Sequence, residues 1–369
     1  MATNRFVLAN ILHRPTRALA SMISVSLEVV LILMVVGFTR GMAVDSANRQ
    51  QGIGADIFLQ PPNAPLIFTT SGVVMPIETR EKVAAVPGVR AVAPVLYQLE
   101  VQKGLVAVFG IDLDSFSAVS GGFDYVSGGP FSGPKANETI IDNLESASKN
   151  LKVGDFQEFK GRRLKVVGVV KHGKGARVFM PIEAMQEMVG GVGKASMMFI
   201  KCEDPERSDQ VIQALHQALP GYGVFSVQEW VSRIMNTNPP VLDLFLNVVV
   251  GIAVIIGSFA IFLSLYTTIA ERTRDIGIFK SLGASKAYIV NLILLESLLL
   301  CLFGLALGLG LTFVAKTLLT TVYPTQQVVV SFSWILRAAV LVFLSGLLGA
   351  IYPAWRAAGK DPISSLAYE

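Results

Sequence analysis

The sequence predicts a membrane protein with four transmembrane α-helices and a large α+β extracytoplasmic domain inserted between helices 1 and 2. Of its 369 residues, 52% are hydrophobic and only 16% are charged, and the mean hydropathy of +0.56 is high for a soluble domain. The apolar residues are gathered into four runs, each close to the roughly 20 residues that a helix needs to cross a bilayer. Residues 41–240, between the first two runs, have an ordinary mixed composition.

Each predicted span has its own character. The first, residues 18–40, contains one charge, Glu28, and the second, residues 241–270, is free of charge from Leu244 onward. The third, residues 287–314, contains Asn291 and Glu296. The fourth, residues 334–354, has Trp334 and Tyr352 near its two ends, where aromatic side chains favour the membrane interface.

Basic residues near the span ends predict the orientation, because lysine and arginine are retained on the cytoplasmic side. We therefore expect residues 1–17, 271–286 and 355–369 in the cytoplasm, and residues 41–240 and the short loop 315–333 outside. A cleaved signal peptide fits span one poorly, because its apolar core is too long and no small-residue cleavage site follows. The basic residues that set the orientation are Arg5, Arg14, Arg17, Arg272, Arg274, Lys280, Lys286, Arg356 and Lys360.

The net charge of +4 does not indicate a nucleic-acid partner, since the basic residues lie at membrane borders and not on one domain face. Cys202 and Cys301 fall in different solvents, so they are not expected to pair within one chain.

Within the outer domain, short strand patterns alternate with short helices and glycine-rich turns. Residues 55–60 alternate as a half-buried strand, IETREKVAAVPGV predicts a helix, and RAVAPVLYQLEV and GLVAVFGID predict strands. The segment SGGFDYVSGGPFSGPK predicts a loop between two subdomains. After it, RRLKVVGVV predicts a strand, IEAMQEMV a helix, and residues 197–227 a strand, a helix and a strand.

The sequence contains no convincing catalytic or metal site. The segment GGVGKAS resembles a phosphate loop, but Met188 stands at the leading glycine position and Ala195 follows the lysine, so a turn after a helix is the better interpretation. His13, His172 and His216 have no acidic or cysteine partner at metal-ligand spacing. We therefore predict no enzyme activity, no metal and no cofactor in this chain.

Two ionisable residues, Glu28 and Glu296, lie inside predicted spans. Charges are expensive in a bilayer and usually face protein or a water-filled path. Each glutamate either lines a conduit or accepts a hydrogen bond from a neighbouring helix, and the sequence leaves both open.

The loop ERTRDIGIFKSLGASKAY between spans two and three mixes both charge signs with apolar residues. Gly283 suits a helix end and Ser285 suits the cap of the next helix, so we expect a short rigid helix that binds a partner. An interfacial helix on the bilayer surface fits less well, because Arg272 falls near the face of Ile276 and Phe279. The candidate docking residues are Glu271, Arg272, Arg274, Asp275, Ile276, Phe279, Lys280 and Gly283.

In the tail GKDPISSLAYE, Asp361 suits a helix cap and Pro362 the first helical position, which predicts another short helix near the same surface.

These segments resemble the FtsX and MacB superfamily of ABC transporter permeases, also called type VII. The likeness is carried by ERTRDIGIFKSLGASKAYIVNLILLESLLLCLFGLALGLGL and by the ending YPAWRAAGKDPISSLAYE. PGVRAVAPV, LKVGDF and RRLKVVGVV are similar to its outer domain. The opening GIGADIFLQPP is closest to heterocyst-exporter-like permeases, which work with a periplasmic membrane-fusion protein.

The resemblance implies a permease in the bacterial inner membrane that pairs with a second permease copy, either identical or a paralogue. The pair would sit on a dimer of cytoplasmic ABC ATPases, with the 271–286 loop docked into the ATPase. ATP and Mg²⁺ would be bound by that partner, because this sequence has no Walker-type segment. Closure of the ATPases would move the outer domain through the first two spans.

We expect such a permease to export or extract an amphiphilic substrate such as a lipid, lipoprotein, drug or peptide. The alternative is a transmembrane regulator that activates an extracytoplasmic partner such as a cell-wall hydrolase.

Overall fold

The structure, a computed structural model, describes residues 15–64, 73–101, 105–236 and 240–360. The chain divides into two compact units. The helical unit comprises Met1–Gly41, Pro239–Thr321 and Val328–Glu369, and the sheet unit comprises Met42–Asn238 and Val322–Gln327. The predicted helix at Asp361 and Pro362 lies outside the described residues.

The elements follow one another along the chain as α1 (Pro15–Gln51), β1 (Ile57–Gln60), β2 (Met75–Pro76), α2 (Thr79–Ala84), β3 (Val89–Val101), β4 (Leu105–Ile111), α3 (Leu113–Ser120), β5 (Tyr125–Gly128), β6 (Glu138–Asp142), α4 (Asn143–Lys149), β7 (Phe156–Phe159), β8 (Arg162–Val170), β9 (Val178–Pro181), α5 (Ile182–Val189), β10 (Lys194–Ala195), β11 (Met197–Cys202), a 3₁₀ turn (Pro205–Arg207), α6 (Ser208–Ala218), β12 (Gly223–Ser226), α7 (Val227–Asn236), α8 (Pro240–Glu271), α9 (Thr273–Ser281), α10 (Lys286–Val322) and α11 (Phe332–Gly359).

Among the residues that the structure describes, four helices are long and apolar enough to cross a membrane, and they include the four predicted runs. Both α1 and α10 contain 37 residues. At 1.5 Å per residue such a helix is about 55 Å long, well beyond a hydrocarbon layer of roughly 30 Å. Both therefore continue past the predicted span ends at residues 40 and 314.

The helical unit is held together by close helix packing at glycines. A Cβ atom added to Gly308 of α10 would lie 2.7 Å from the Cβ atom of Val29, and one added to Gly304 would lie 2.6 Å from that of Val25. Small residues at such spacing let two spanning helices approach closely. The outward-facing side chains remain apolar, as at Ile255 and Phe259 of α8, which suits contact with lipid.

The sheet unit is built on one ten-stranded sheet in the order β12-β1-β11-β3-β4-β9-β6-β8-β5, with β7 paired to β8. Most neighbours are antiparallel, but β4 pairs with β9 and β6 with β8 in parallel. The sheet is continuous across the two sequence blocks that the glycine-rich segment separates. A separate two-stranded ladder joins β2 and β10.

Helices cover both faces of this sheet. Phe116 of α3 and Trp230 of α7 pack with Phe58, Phe109 and other apolar residues in one core. On the opposite side, Val83 of α2 and Leu215 of α6 pack with Ile57 and Leu59. Successive residues of β1 thus point into different cores, so all four residues of this predicted strand are buried.

The predicted strands β3, β4 and β8 and the predicted helices α2 and α5 are present. The segment predicted as a loop differs, because it contains the short strand β5, which pairs with β8 at the sheet edge. All four residues of β5 are exposed, so it has no buried face to give a hydrophobic pattern. Residues 190–193 of the GGVGKAS segment follow α5 as a turn, with Gly190 in the left-handed conformation at φ 71°, and Lys194–Ala195 form β10.

Candidate functional site

A charged cluster in the sheet unit joins the end of α1 to the sheet. Because β6 and β8 run parallel and β9 runs antiparallel to β6, the end of β6, the residues after β8 and those before β9 meet at one edge. This places Asp142, His172 and Arg177 together. Asp45 and Arg49, one turn apart in α1, lie against them.

Two carboxylates are shared among three cationic side chains. The Oδ2 atom of Asp45 lies 2.9 Å from Nη2 of Arg177 and 3.0 Å from Nε of Arg49. Asp142 accepts a hydrogen bond from Nδ1 of His172 at 2.7 Å and from Nη1 of Arg177 at 3.4 Å. Its other oxygen accepts the backbone N–H of Glu145 and so caps α4. Asp45, Asp142 and Arg177 are all at most 6% exposed.

His172 bridges the two carboxylates. Its Nδ1 atom contacts Asp142, and its Nε2 atom lies 3.1 Å from Oδ1 of Asp45. A carboxylate only accepts, so both bonds form together only when the imidazole carries two protons. Burial disfavours that cation, but the hydrogen bonds to Asp142 and Asp45 outweigh it, and the pKa of His172 is raised above its ordinary value.

The loop after α10 enters the same cluster. The Thr325 carbonyl oxygen accepts a hydrogen bond from Nη2 of Arg177 at 3.0 Å, and Nε2 of Gln327 lies 3.3 Å from Oδ1 of Asp45. A cavity of about 100 Å³ lies beside these groups. Drug-sized ligand sites measure about 300–1,000 Å³, so this cavity does not suit an amphiphilic substrate. The cluster connects the end of α1, the sheet and this loop through hydrogen bonds and ion pairs.

The carboxylates of the cluster are paired with cationic side chains. Within the described ranges, no three His, Cys, Asp or Glu side chains are grouped so as to hold a metal ion. Arg49 and Arg177 supply the positive charge that a cation would otherwise provide.

The predicted docking loop forms the short helix α9 in the helical unit. Gly283 ends it in the left-handed conformation at φ 95°, and Ser285 accepts the backbone N–H of Tyr288 at the start of α10. Nζ of Lys280 donates to the carbonyl oxygens of Ala358, at 3.0 Å, and Lys360. These bonds tie α9 to the end of α11.

The orientation of α9 changes which residues can bind a partner. Ile276 is 8% exposed and belongs to the bundle core, and Phe279 packs against that core. Lys280, a predicted docking residue, is half-buried by its bonds to α11. The exposed face instead carries Arg274, Asp275, Ile278, Ser281 and Leu282, spaced at one, four, seven and eight positions from Arg274.

The remaining predicted docking residues flank this face. Glu271 is the exposed last residue of α8, and Arg272 is the half-buried residue before α9. The docking role of the loop stays a prediction. The apolar residues that a partner can reach are Ile278 and Leu282, and not Ile276 and Phe279, which were among the predicted docking residues.

Glu28 lies where three helices meet. It is 4% exposed, and one carboxyl oxygen accepts a hydrogen bond from Oγ of Ser345 in α11 at 3.1 Å. A Cβ atom at Gly257 of α8 would lie 1.9 Å from the same oxygen, so only glycine leaves room for the carboxyl group. Glu28 thus has the helix-contacting role that the sequence left open, whereas Glu296 is half-buried on α10.

No local sequence pattern indicates the charged cluster as a unit. Asp45 and His172 are 127 positions apart, and Asp45 and Gln327 are 282 apart. The useful local signal was the KHGKGAR segment directly after a buried strand, where basic side chains meet the acidic end of β6.

Comparison with known proteins identifies two domains. Residues 18–218 match the MacB-like periplasmic core domain, and residues 247–362 match the FtsX-like permease C-terminal domain. An uncharacterized ABC transporter permease of Methanocaldococcus jannaschii is 28% identical over 60% of this chain and 59% of its own length. YknZ of Bacillus subtilis, also an uncharacterized ABC transporter permease, is 25% identical over 61% of this chain and 59% of its own length.

The macrolide export ATP-binding/permease protein MacB of Salmonella paratyphi A is 28% identical over 52% of this chain. The match spans 31% of that longer protein, so the chain covers between 31% and 59% of the length of these relatives. These names describe transport proteins and do not favour the alternative of a hydrolase regulator.

Among solved structures, the periplasmic region of MacB from Actinobacillus actinomycetemcomitans aligns over 51% of this chain and 96% of its own length, with 16% identity and a TM-score of 0.38. The extracellular domain of YknZ aligns over 46% of this chain and 98% of its own length, with 17% identity and a TM-score of 0.36. Since the periplasmic core family covers more than half of the sequence, the chain belongs to the MacB-like and FtsX-like family of ABC transporter permeases.

Proposed function

We propose that this permease couples ATP hydrolysis by a cytoplasmic ATPase to movement of its sheet unit, and that the movement exports or extracts an amphiphilic substrate. The observation that carries the proposal is the exposed face of α9. It presents Ile278 and Leu282 beside Arg274 and Asp275, while the opposite face is fixed to the bundle core. Exposed apolar side chains with charged residues beside them suit a surface that binds another protein.

The rigidity of α9 supports its role in transmitting force. Thr273 accepts a hydrogen bond from Nζ of Lys360 at 2.6 Å, and Lys280 bonds the end of α11 from the other end of the helix. Because α9 is hydrogen-bonded at both ends, a displacement imposed by its partner is transmitted to α8 and α11 without a prior rearrangement of α9.

In the sheet unit, the charged cluster forms a rigid connection that transmits the movement of α1. Helix α1 is continuous from Pro15 to Gln51, and its Asp45 is bound to Arg177 and His172 of the sheet. We infer that a shift of α1 moves β6, β8 and β9 with it. Because Asp45 also contacts Gln327, the α10–α11 loop moves together with α1 in this scheme.

The orientation and the partners follow from this scheme. The ends of the helices that carry α9 face the cytoplasm, where ATP and Mg²⁺ are bound by the ATPase, and the sheet unit faces outward from the inner membrane. An ATPase dimer offers two docking sites, so a second permease copy, identical or a paralogue, occupies the other. Because the sheet unit is extracytoplasmic, a periplasmic membrane-fusion protein is a suitable further partner.

Co-purification of the cognate ATPase tests the docking face. Ile278→Asp and Leu282→Asp should each lower ATPase recovery about tenfold or more, because a charge replaces a buried apolar anchor. Val126→Asp is the matched control, since Val126 is 60% exposed but lies in β5 of the sheet unit.

Phe279→Asp should act differently, by lowering the yield of folded permease, because its ring packs in the bundle. Full ATPase recovery with both Ile278→Asp and Leu282→Asp, at normal permease levels, would show that α9 is only a connector.

A further inference from the structure

A groove in the helical unit carries an unusual concentration of positive charge. It has a volume of about 570 Å³ and lies between the beginning of α10 and the end of α11. Three of its eight lining residues are cationic and none is acidic. The cations are Lys286, Arg356 and Lys360.

The three cations are not neutralised by a carboxylate in any contact among the residues that the structure describes. Nη1 of Arg356 donates to the Tyr266 hydroxyl at 2.8 Å and its guanidinium stacks over that ring, leaving further N–H groups available. Nζ of Lys360 bonds Thr273, a neutral hydroxyl. Burial and the charge of Arg356 both lower the pKa of Lys360, as expected where cations are gathered without a counter-ion.

The rest of the groove suits a lipid. Its floor is apolar, formed by Ala287, Val290 and Ala358, and Trp355 at its edge is 73% exposed. Exposed tryptophan is typical of the interface between hydrocarbon and water, at the depth of the headgroups.

We propose that this groove binds the phosphate headgroup of an anionic phospholipid, with the acyl chains along α10 and α11. Free phosphate shares the headgroup chemistry, but it would not use the apolar floor or the exposed tryptophan. The inference depends on α10 and α11 spanning the bilayer. That the bound lipid belongs to the cytoplasmic leaflet rests on the proposed function, which places this end of the helices in the cytoplasm. Basic pockets between spanning helices are suited to such headgroups.

Native mass spectrometry of the purified full chain in detergent tests this proposal. Phosphatidylglycerol and phosphatidylcholine with identical acyl chains are titrated separately, and inorganic phosphate is added as a competitor. We expect one tightly bound phosphatidylglycerol per chain, weaker binding of phosphatidylcholine, and no displacement by inorganic phosphate. Each of Lys286→Gln and Lys360→Gln should weaken phosphatidylglycerol binding about fivefold.

Two variants control for lost charge and for misfolding. Arg162→Gln removes an exposed cation from β8 of the sheet unit, outside the groove, and should change binding less than about twofold. The double variant Lys286→Arg/Lys360→Arg keeps the charge and should retain the lipid.

Three results would overturn the proposal: equal affinity for the two lipids, unchanged binding in the Gln variants, or full displacement by inorganic phosphate. Recovery of the ATPase is measured on the same variants. If Lys286→Gln and Lys360→Gln kept the lipid but lost the ATPase, the groove would be part of the ATPase contact and the lipid assignment would be wrong. If Ile278→Asp lost the ATPase and kept the lipid, both proposals would stand independently.

Discussion

The Nε2 atom of His172 lies 3.1 Å from Oδ1 of Asp45, so an imidazole that follows strand β8 is bound directly to a carboxylate of α1. The same imidazole donates its other proton to Asp142, and the two bonds require the cationic form. This contact makes the strength of the charged cluster depend on pH.

Stability should therefore change with pH in a defined direction. The folded-state pKa of His172 is raised. The stabilisation that His172 contributes to the folded state is therefore complete below about pH 6.5, its ordinary pKa, and is lost as the pH rises through the raised pKa. Thermal unfolding of the full chain in detergent at increasing pH measures this loss. His172→Gln should flatten the dependence, whereas His216→Gln, at an exposed position of α6, should retain it. An identical slope in His172→Gln would contradict the role of this imidazole.

Removing Arg177 should destabilise the sheet unit by about 3 kcal/mol, because it leaves two buried carboxylates without their shared cation. The measurement is the unfolding free energy of Arg177→Gln in the full chain. Arg162→Gln, at the exposed start of β8, is the control and should cost little. The double variant Arg177→Gln/Asp45→Asn should recover part of the loss. Equal costs for Arg177→Gln and Arg162→Gln would show that the cluster contributes nothing specific.

Helix packing gives a matched pair of glycine substitutions in α10. A Cβ atom at position 308 would lie 2.9 Å from the Ser26 carbonyl oxygen and 2.7 Å from Val29, whereas one at Gly310 would meet nothing within 4 Å. We expect Gly308→Ala to destabilise the helical unit by about 2 kcal/mol. Gly310→Ala should be neutral or slightly stabilising. The test is resistance to unfolding in detergent, and equal behaviour of the two variants would contradict the described packing of α10 on α1.

Much of the fold could be predicted because its signals are local. The four apolar runs identify the spanning helices, and the strand patterns of β3, β4 and β8 are visible in short windows. The charged cluster is not visible in this way, because its members are brought together only by the pairing of β6 with β8 and β9. The orientation of α9 also depends on tertiary contacts, since nine residues of mixed character do not define which face will be buried. Phe279 is consequently less accessible than its sequence suggested, and Ile278 and Leu282 are more so.

Nucleotide-dependent labelling at the α10–α11 loop tests the central claim most directly. A cysteine replaces Gln326, which lines the cavity beside Asp45 and Arg177, and the native Cys202 and Cys301 are both buried. The assembled complex with its ATPase is treated with a membrane-impermeant maleimide, with and without ATP and vanadate. We predict that the labelling rate changes in the trapped state and that Ile278→Asp abolishes the change. An equal rate in both states, or a change that persists in the Ile278→Asp complex, would contradict coupling through α9 to the charged cluster.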